Sequence, residues 1–307
     1  MTGEQPRAVD NHEPQHAHAH DDLGAGGFRV AFFLNLVFTL VEFVGGMLTN
    51  SVAILADAVH DLGDSVSLLF SWSMERISRR PRTDRQTFGY KRYSVLGAVV
   101  SAAVLLLGSV FVLMEAVPRL FDPEPVLPEG MIPLAVAGVG FNLAAVLRLR
   151  RGGKLNHRVV LLHLLEDVLG WIGVLVVGVV MLFADVPVLD PILSVAVTVF
   201  VLSRIVPRLR SALGVFLQYA PSGIALGHIE EELKAFPQVL GVHDLHVWSL
   251  DGSYNLLSTH VVVDENMSLG GLEELKARIK ERLAGWDIHH VTLEFEPESA
   301  SCVECDL

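Results

Sequence analysis

Two four-residue steps of the same type stand inside long apolar runs of this chain. The first contains His60 and Asp64 and the second contains His163 and Asp167, each with the pattern His-x-x-x-Asp. On an α-helix, residues i and i+4 share one face, so each step presents an imidazole and a carboxylate side by side. Two such steps on two helices would supply the four nitrogen and oxygen ligands that zinc accepts in a tetrahedral site.

The apolar surroundings of these four residues indicate a pathway for an ion. A single buried His or Asp is often only a helix–helix hydrogen bond, but four such groups at one spacing are costly to bury without a ligand. A site with imidazole and carboxylate but no thiolate suits zinc and its neighbouring divalent ions and disfavours Cu(I). Magnesium is normally held by oxygens alone, so the histidines count against it, and the same holds for potassium.

Other polar residues lie close to the two steps. Asp57 stands three residues before His60 and could orient an imidazole from outside the ligand set. Asp61 and Glu166 fall off the ligand face, and Asp61 is interpreted as lining a water-filled entry. Asn35 and Glu42 in span one could contribute polar lining.

The elements that must position these residues are membrane spans. The chain has 307 residues, of which 51% are hydrophobic, and this is too apolar for an ordinary soluble enzyme. Six stretches approach the roughly 20 apolar residues that a bilayer crossing needs. We place them at Phe28–Leu48, Val52–Trp72, Ser94–Val117, Met131–Leu147, Val159–Phe183 and Val188–Ile205, with breakers such as Pro118, Pro123, Pro125, Pro128 and Pro187 between them.

Basic residues in the short loops predict how these spans are oriented. Lysine and arginine cluster between spans two and three, after span four and after span six, whereas the opposite loops offer only Arg119. Both termini and the C-terminal domain are therefore expected on the cytoplasmic side of the cell inner (plasma) membrane. No cleavable signal peptide is expected, because the first 27 residues are polar and rich in histidine.

The net charge of −12 is concentrated after Ala220. This argues against nucleic-acid binding, because the chain offers no basic stripe that could bind a phosphate backbone.

The sequence of this C-terminal part predicts a compact α+β unit. A helical pattern runs from Ser222 to Phe236, strands follow at Val239–Leu250 and Tyr254–Val263, and Ser268 is placed as the N-cap of a helix that ends at Leu283. A last strand at Ile288–Glu296 completes an α-β-β-α-β order. The predicted domains are a histidine-rich tail (1–27), a six-span transport domain (28–215) and a cytoplasmic metal-binding domain (216–307).

Several of these segments together resemble the cation diffusion facilitator family of zinc transporters, over residues 28–307. The resemblance rests on the run from Leu48 to His60 with Asp64, on Phe88-Gly89-Tyr90-Lys91-Arg92, on His163 to Gly170, on Leu189-Asp190-Pro191-Ile192-Leu193-Ser194, and on Val242 to Leu250. It implies a homodimeric zinc/proton antiporter with six spans and a ferredoxin-like cytoplasmic domain. The chain departs from the family at Asp61 and Glu166, where members more often carry uncharged residues.

The same resemblance implies a zinc site in the cytoplasmic domain. Its residues would be His243, His260, His289 and Glu296. Strand alternation by itself predicts that His243 shares a face with Leu245 and Val247, and exposed strand histidines are often only solvated.

Two cysteines, Cys302 and Cys305, form a C-x-x-C pair after the last strand, too few for a disulfide framework. A tetrahedral metal site would need further ligands. His16, His18 and His20 could supply them from the neighbouring protomer, as in related transporters, or this tract could gather metal loosely.

The mechanism that these residues favour is alternating access. Metal binding requires deprotonated imidazole and carboxylate, so zinc and protons compete for one ligand set, and this is sufficient for antiport. The function predicted is proton-coupled efflux of zinc, or of cadmium or cobalt. Two other functions stay open. One is an intramembrane metalloenzyme, although this chain has no His-Glu-x-x-His helix, and the other is a membrane-bound metal sensor.

Overall fold

The computed structural model describes residues 25–151 and 158–299, and it describes side chains over 32–147 and 164–299. The chain divides into two compact units. The helical unit runs up to Ile77 and resumes from Leu96 to Arg210. The sheet unit consists of Ser78–Val95 and the chain from Ser211 onward.

Long helices follow one another through the first two thirds of the chain. Their bounds are α1 Ala25–Thr49, α2 Val52–Ser78, α3 Arg92–Phe121, α4 Pro128–Arg151, α5 Arg158–Phe183 and α6 Leu189–Phe216. Five of them contain a stretch that is long and apolar enough to cross a membrane: Phe32–Thr49, Arg92–Phe121, Pro128–Leu147, Leu164–Phe183 and Leu189–Phe216. The sixth predicted span coincides with α2, which is 27 residues long but carries Asp57, Asp61 and Asp64.

The helices extend beyond several of the predicted ends. Pro118 was expected to separate spans three and four, but α3 continues through it to Phe121. α6 likewise continues through Pro207. Proline is tolerated inside such helices because neighbouring groups satisfy the carbonyls that it frees.

The sheet unit consists of α7 Leu226–Lys234, β1 Gly241–Ser249, β2 Asn255–Val263, α8 Leu269–Ala284 and β3 Ile288–Pro297. The strand order is β1-β2-β3, with β1 and β2 antiparallel and β2 and β3 parallel. Ser268 caps α8 by accepting a hydrogen bond from the Gly271 N–H, as predicted. The predicted fold class, a helical membrane domain followed by an α+β domain of α-β-β-α-β order, is confirmed.

One face of this sheet is covered by both helices. The core contains Ile229 and Leu233 of α7 and Leu275, Ile279 and Leu283 of α8. These side chains pack on inward-facing residues of the strands, notably Val242, Val247, Leu257, Val261 and Ile288. The other face of the sheet is left for polar side chains.

The prediction of strict alternation along β1 was wrong. Val242 and Val247 both enter the core, although they are an odd number of residues apart. The register shifts between His243 and His246, and Asp244 adopts a positive φ of 51°. This β-bulge moves His243 to the face opposite Val247, so His243 faces away from the helices.

Candidate metal centres

The start of α2, which carries the first His-x-x-x-Asp step, is tied to the start of α6. Ser51 accepts a hydrogen bond from the Ile54 N–H at 3.2 Å, so it serves as the N-cap of α2. The fully buried carboxylate of Asp190 accepts from the Val52 N–H at 2.7 Å and from the Ser51 hydroxyl at 2.5 Å. The carboxylate thereby satisfies the orphan donors of the helix and fixes the start of α2 beside α6.

Two helical turns further along, α2 presents the first predicted pair of ligands. His60 Nε2 lies 3.6 Å from Asp64 Oδ2, and the two side chains are 20% and 21% exposed. They stand at i and i+4, as their spacing requires. The pair is thus only partly shielded.

A contact between α2 and α5 sets the register of the two helices that carry the ligands. Asp57 Oδ1 lies against Gly170, where an added Cβ would stand 3.8 Å from it. Because consecutive spans alternate in direction, α2 and α5 run antiparallel. His60 lies three residues after Asp57, and Asp167 lies three residues before Gly170. Asp64 and His163 lie four residues further along their helices. His60 and Asp167 are thus equally far along their helices from this contact, and so are Asp64 and His163.

The structure resolves this predicted set only in part. Asp167 is half-buried on α5, whereas the side chain of His163 lies outside the described residues. Within the described side chains, the ligand atoms of His60, Asp64 and Asp167 do not form a group in which all lie within 4.8 Å of one another. The His60–Asp64 pair is therefore the part of the predicted set that the described side chains bring together.

The additional acids near this region have distinct surroundings. Glu166 Oε1 is paired with Arg204 of α6 at 2.7 Å, so it is engaged outside the predicted ligand set. Asp61 is buried on α2. Glu42 on α1, which was predicted as polar lining, is fully buried.

A second group of metal-binding side chains lies on the outer face of the sheet. His243 on β1, His260 on β2 and Glu296 on β3 offer ligand atoms within 4.8 Å of one another, and over 32–147 and 164–299 they are the one group of three that does so. His243 Nε2 lies 3.0 Å from Glu296 Oε2, and His260 Nδ1 lies 2.8 Å from Glu296 Oε1. The two imidazole rings are 5.1 Å apart.

The geometry at His260 fits a shared cation better than direct hydrogen bonding. Its Nδ1 is buried and has no partner with hydrogen-bond geometry, although the Glu296 oxygen is so close. Side chains that share one ion are expected to point their lone pairs at that ion and not at each other. On its other side, His260 Nε2 lies 3.5 Å from Asp244 Oδ2, and such an outer carboxylate orients a ligating imidazole. Asp244 was not predicted to take part in this site, because only the β-bulge brings its side chain to His260.

The structure does not bring His289 to this group. Its Nδ1 accepts a hydrogen bond from the Asn255 N–H at 3.3 Å, and its ring stacks on Tyr254 at 4.9 Å. It precedes Glu296 by seven residues on β3, which is roughly 23 Å along an extended strand. The tentative ligands Cys302, Cys305, His16, His18 and His20 lie outside the described residues.

The end of the sheet that carries His289 contacts the segment between α2 and α3, which belongs to the same unit. Lys91 Nζ lies 3.3 Å from Asp251 Oδ2 and 4.6 Å from the centre of the Tyr254 ring. Burial alone would raise the pKa of the Asp251 carboxyl. Hydrogen bonds from the Tyr254 and Ser253 N–H groups and from the Ser253 hydroxyl, together with the Lys91 charge, lower that pKa below its usual value.

Comparison with protein families assigns both parts of the chain. Residues 28–217 match the model of the cation efflux transmembrane domain. Residues 221–298 match the model of the cation efflux protein cytoplasmic domain.

Curated relatives match along nearly their whole length. The cadmium, cobalt and zinc/H(+)-K(+) antiporter of Bacillus subtilis is 31% identical, with 88% of each chain covered. The metal cation efflux system protein CzcD of Cupriavidus metallidurans is 33% identical, with 95% of this chain and 92% of the relative covered. The zinc transporter ZitB of Escherichia coli is 32% identical, with 97% and 95% covered.

A solved structure also matches the C-terminal part. It is the metal-bound C-terminal domain of the CzcD transporter from Cupriavidus metallidurans, 36% identical. The match covers 24% of this chain and 99% of the solved chain, with a TM-score of 0.22.

Proposed function

The chain belongs to the cation diffusion facilitator family, as its motifs predict, and from this membership we propose that it exports zinc from the cytoplasm. It is a multi-pass membrane protein of a family of metal efflux transporters, not an enzyme. Relatives are named for cadmium, cobalt and zinc, so cadmium and cobalt are the other substrates to be measured. The Bacillus subtilis relative is also named for H+ and K+, which makes both ions candidate counter-ions here.

The proposed transport site consists of His60 and Asp64 on α2 and His163 and Asp167 on α5. The observation that carries it is the contact between Asp57 and Gly170, since the antiparallel register counted from that contact pairs His60 with Asp167 and Asp64 with His163. Two imidazoles and two carboxylates would complete the tetrahedron that zinc prefers. The exposed part of the His60–Asp64 pair is where the ion would enter and leave.

Proton coupling follows from the chemistry of these ligands. Zinc binds the deprotonated imidazole and carboxylate, and its departure leaves groups that can take up protons. If the site faces the cytoplasm when empty of protons and faces outward when protonation displaces zinc, protons returning inward would drive zinc outward. No separate proton pathway is needed for this exchange.

The orientation proposed rests on charge. Lysine and arginine are concentrated near the C-terminal ends of α2, α4 and α6 and in the connection that follows α2, whereas Arg119 near the end of α3 is the only such residue at the opposite ends of the helices. This distribution favours cytoplasmic termini and a cytoplasmic sheet unit in the plasma membrane. Arg119 itself is engaged with Glu115 at 2.7 Å and Glu124 at 3.2 Å.

The sheet unit is proposed to hold zinc in a regulatory role. His243, His260 and Glu296 would be its protein ligands, and zinc bound there would neutralise Glu296 and bridge all three strands. The family of the cytoplasmic domain also favours a homodimer. His289 is not included in this group, and ligation by Cys302, Cys305, His16, His18 and His20 stays a prediction.

Reconstituted vesicles test the transport function. We expect zinc added outside vesicles of purified protein to reach a zinc dye inside when the interior is more acidic, with protons leaving as zinc enters. A pH dye in the same vesicles measures the second movement. Zinc entry that produces no proton movement would refute proton coupling, and the absence of any divalent flux would refute the transporter assignment.

A further inference from the structure

A small cavity lies beside His60, between three helices of the helical unit. Its volume is about 20 Å³, which is enough to hold one water molecule. Three of the residues that line it are polar, namely His60 of α2, Ser109 of α3 and Thr198 of α6, and the others are apolar. Ser109 and Thr198 are buried, with 7% and 5% exposure. A cavity with three polar groups in its wall suits a water molecule, whereas a purely apolar one of this size would stay dry.

Close packing of α2 on α3 fixes the walls of this cavity. A Cβ atom at Gly108 of α3 would stand 2.8 Å from Cγ1 of Val59, and one at Gly63 of α2 would stand 2.5 Å from Cδ2 of Leu105. Real Cβ atoms do not approach other atoms so closely, so the two helices can pack in this way because both positions are glycine. Val59 and Leu105 also line the cavity. The polar groups in its wall are therefore held by tightly packed helices.

The hydroxyl of Thr198 can only accept a hydrogen bond from the cavity. Its Oγ1 donates to the Ser194 carbonyl oxygen at 2.7 Å, and this uses the single hydrogen of the hydroxyl. A water molecule in contact with Thr198 must therefore donate to it. If that water donates its second hydrogen to Ser109, a lone pair is what it offers to the third polar residue of the wall, His60.

The two ring nitrogens of His60 have different surroundings. Nε2 lies 3.6 Å from Asp64 Oδ2 and so faces the other proposed zinc ligand of α2. Nδ1 is buried. A histidine that binds a metal through one ring nitrogen normally donates a hydrogen bond from the other to a carboxylate, a carbonyl or a water molecule, and this bond fixes both the tautomer and the ring orientation. A lone pair offered from the cavity meets this requirement at Nδ1.

We propose that the cavity binds a water molecule that accepts a hydrogen bond from His60 Nδ1 and donates to Thr198 and Ser109. Thr198 and Ser109 are then positioning residues of the transport site. Through the water they keep the proton on Nδ1, so that the Nε2 lone pair is available to zinc. Because α2, α3 and α6 each contribute one group, the orientation of this ligand depends on the packing of all three helices. This inference rests on the proposed function and deepens its transport site.

Zinc calorimetry on the full-length protein tests the two positioning residues. His260→Ala is the background, because it removes a ligand of the group on the sheet. In this background, Thr198→Val, which has nearly the same shape, and Ser109→Ala should each weaken zinc binding about tenfold, as expected when a ligating histidine loses its outer partner. Thr198→Ser keeps the hydroxyl and should retain most of the affinity. Ser203→Ala, at an exposed position of α6, is the control and should bind zinc as the background does.

The tautomer of His60 separates a positioning role from a merely structural one. It is measured by nitrogen NMR on metal-free protein with isotope-labelled histidine, at alkaline pH where the imidazole is neutral. The signals of His60 are those that disappear in His60→Gln. We expect the wild-type protein and Thr198→Ser to carry the proton on Nδ1, and Thr198→Val to contain a mixture of both tautomers.

The outcomes distinguish this proposal from the proposed transport site. Undiminished zinc affinity in both Thr198→Val and Ser109→Ala would overturn the proposal. So would a wild-type His60 that carries its proton on Nε2. A loss of affinity in Thr198→Val with the proton still on Nδ1 would also overturn it, because the substitution would then act through packing alone. Zinc binding that persists unchanged when His60→Ala is added to the His260→Ala background would instead refute the transport site itself.

Discussion

Asp57 of α2 lies against Gly170 of α5, and this contact sets the register between the two helices that carry the proposed zinc ligands. A Cβ atom at position 170 would stand 3.8 Å from Asp57 Oδ1, which is an ordinary van der Waals distance. A methyl group therefore fits at this point without displacing Asp57.

The first prediction concerns this contact. Gly170→Ala should retain near wild-type zinc transport, whereas Gly170→Leu should push α5 away from α2 and lower zinc uptake at least tenfold. Vesicle uptake of both variants checks this. Equal uptake by the two variants would show that the helices do not depend on close approach here.

The second prediction concerns Asp190, the buried cap of α2. Asp190→Ala leaves the Val52 N–H and the Ser51 hydroxyl without their acceptor, which should cost about 1–3 kcal/mol of stability. Thermal unfolding in detergent measures this loss. Ser203→Ala, at an exposed position of the same helix, is the control and should change the midpoint little. A midpoint in Asp190→Ala as high as in the control would contradict the capping role.

Much of this architecture could be predicted from the sequence, because apolar runs and strand alternation depend on local periodicity. The Ser268 cap and the three strands of the sheet follow from such local patterns. The paired His-x-x-x-Asp steps were readable for the same reason, since i and i+4 share a helix face.

What the sequence could not reveal depends on contacts between distant residues. Asp190 lies 138 positions from the Val52 N–H that it caps, and the only hint was its place in a family motif. The β-bulge at Asp244 places His243 on the opposite face of the sheet from the one predicted. A single residue with positive φ leaves no periodic pattern in the sequence. The distance of His289 from Glu296 follows from its place at the opposite end of β3.

The third prediction concerns the group on the sheet. His243→Ala, His260→Ala and Glu296→Gln should each weaken zinc binding by the sheet unit at least tenfold. His289→Ala should not, because its ring lies at the other end of the strand. Calorimetry in a His60→Ala background separates these sites from the transport site. Comparable loss of affinity in His289→Ala would contradict the assignment.

The fourth prediction follows from the lowered pKa of Asp251. Because its folded-state pKa lies below the unfolded value of about 3.9, its charge stabilises the turn above that value. This contribution is lost as the pH falls through the folded-state pKa. At pH 7, Asp251→Asn should lower the hydrogen-exchange protection of the Ser253 and Tyr254 amides.

At pH values below the folded-state pKa, the same substitution should have little further effect, since Asp251 is then neutral in both states. Asp264→Asn, in an exposed turn, is the matched control and should not alter protection at Ser253 or Tyr254. A difference between wild type and Asp251→Asn that stayed constant down to acidic pH would exclude the charge as its source.

The central claim is that zinc crosses the membrane on four side chains of α2 and α5. The most direct measurement is zinc uptake, under an imposed pH gradient, by vesicles that contain His60→Ala, Asp64→Ala, His163→Ala or Asp167→Ala, with Glu129→Gln as the control. We predict that each alanine variant loses uptake at least a hundredfold while the control retains it. Uptake at the wild-type rate in any one of the four would contradict the proposed site.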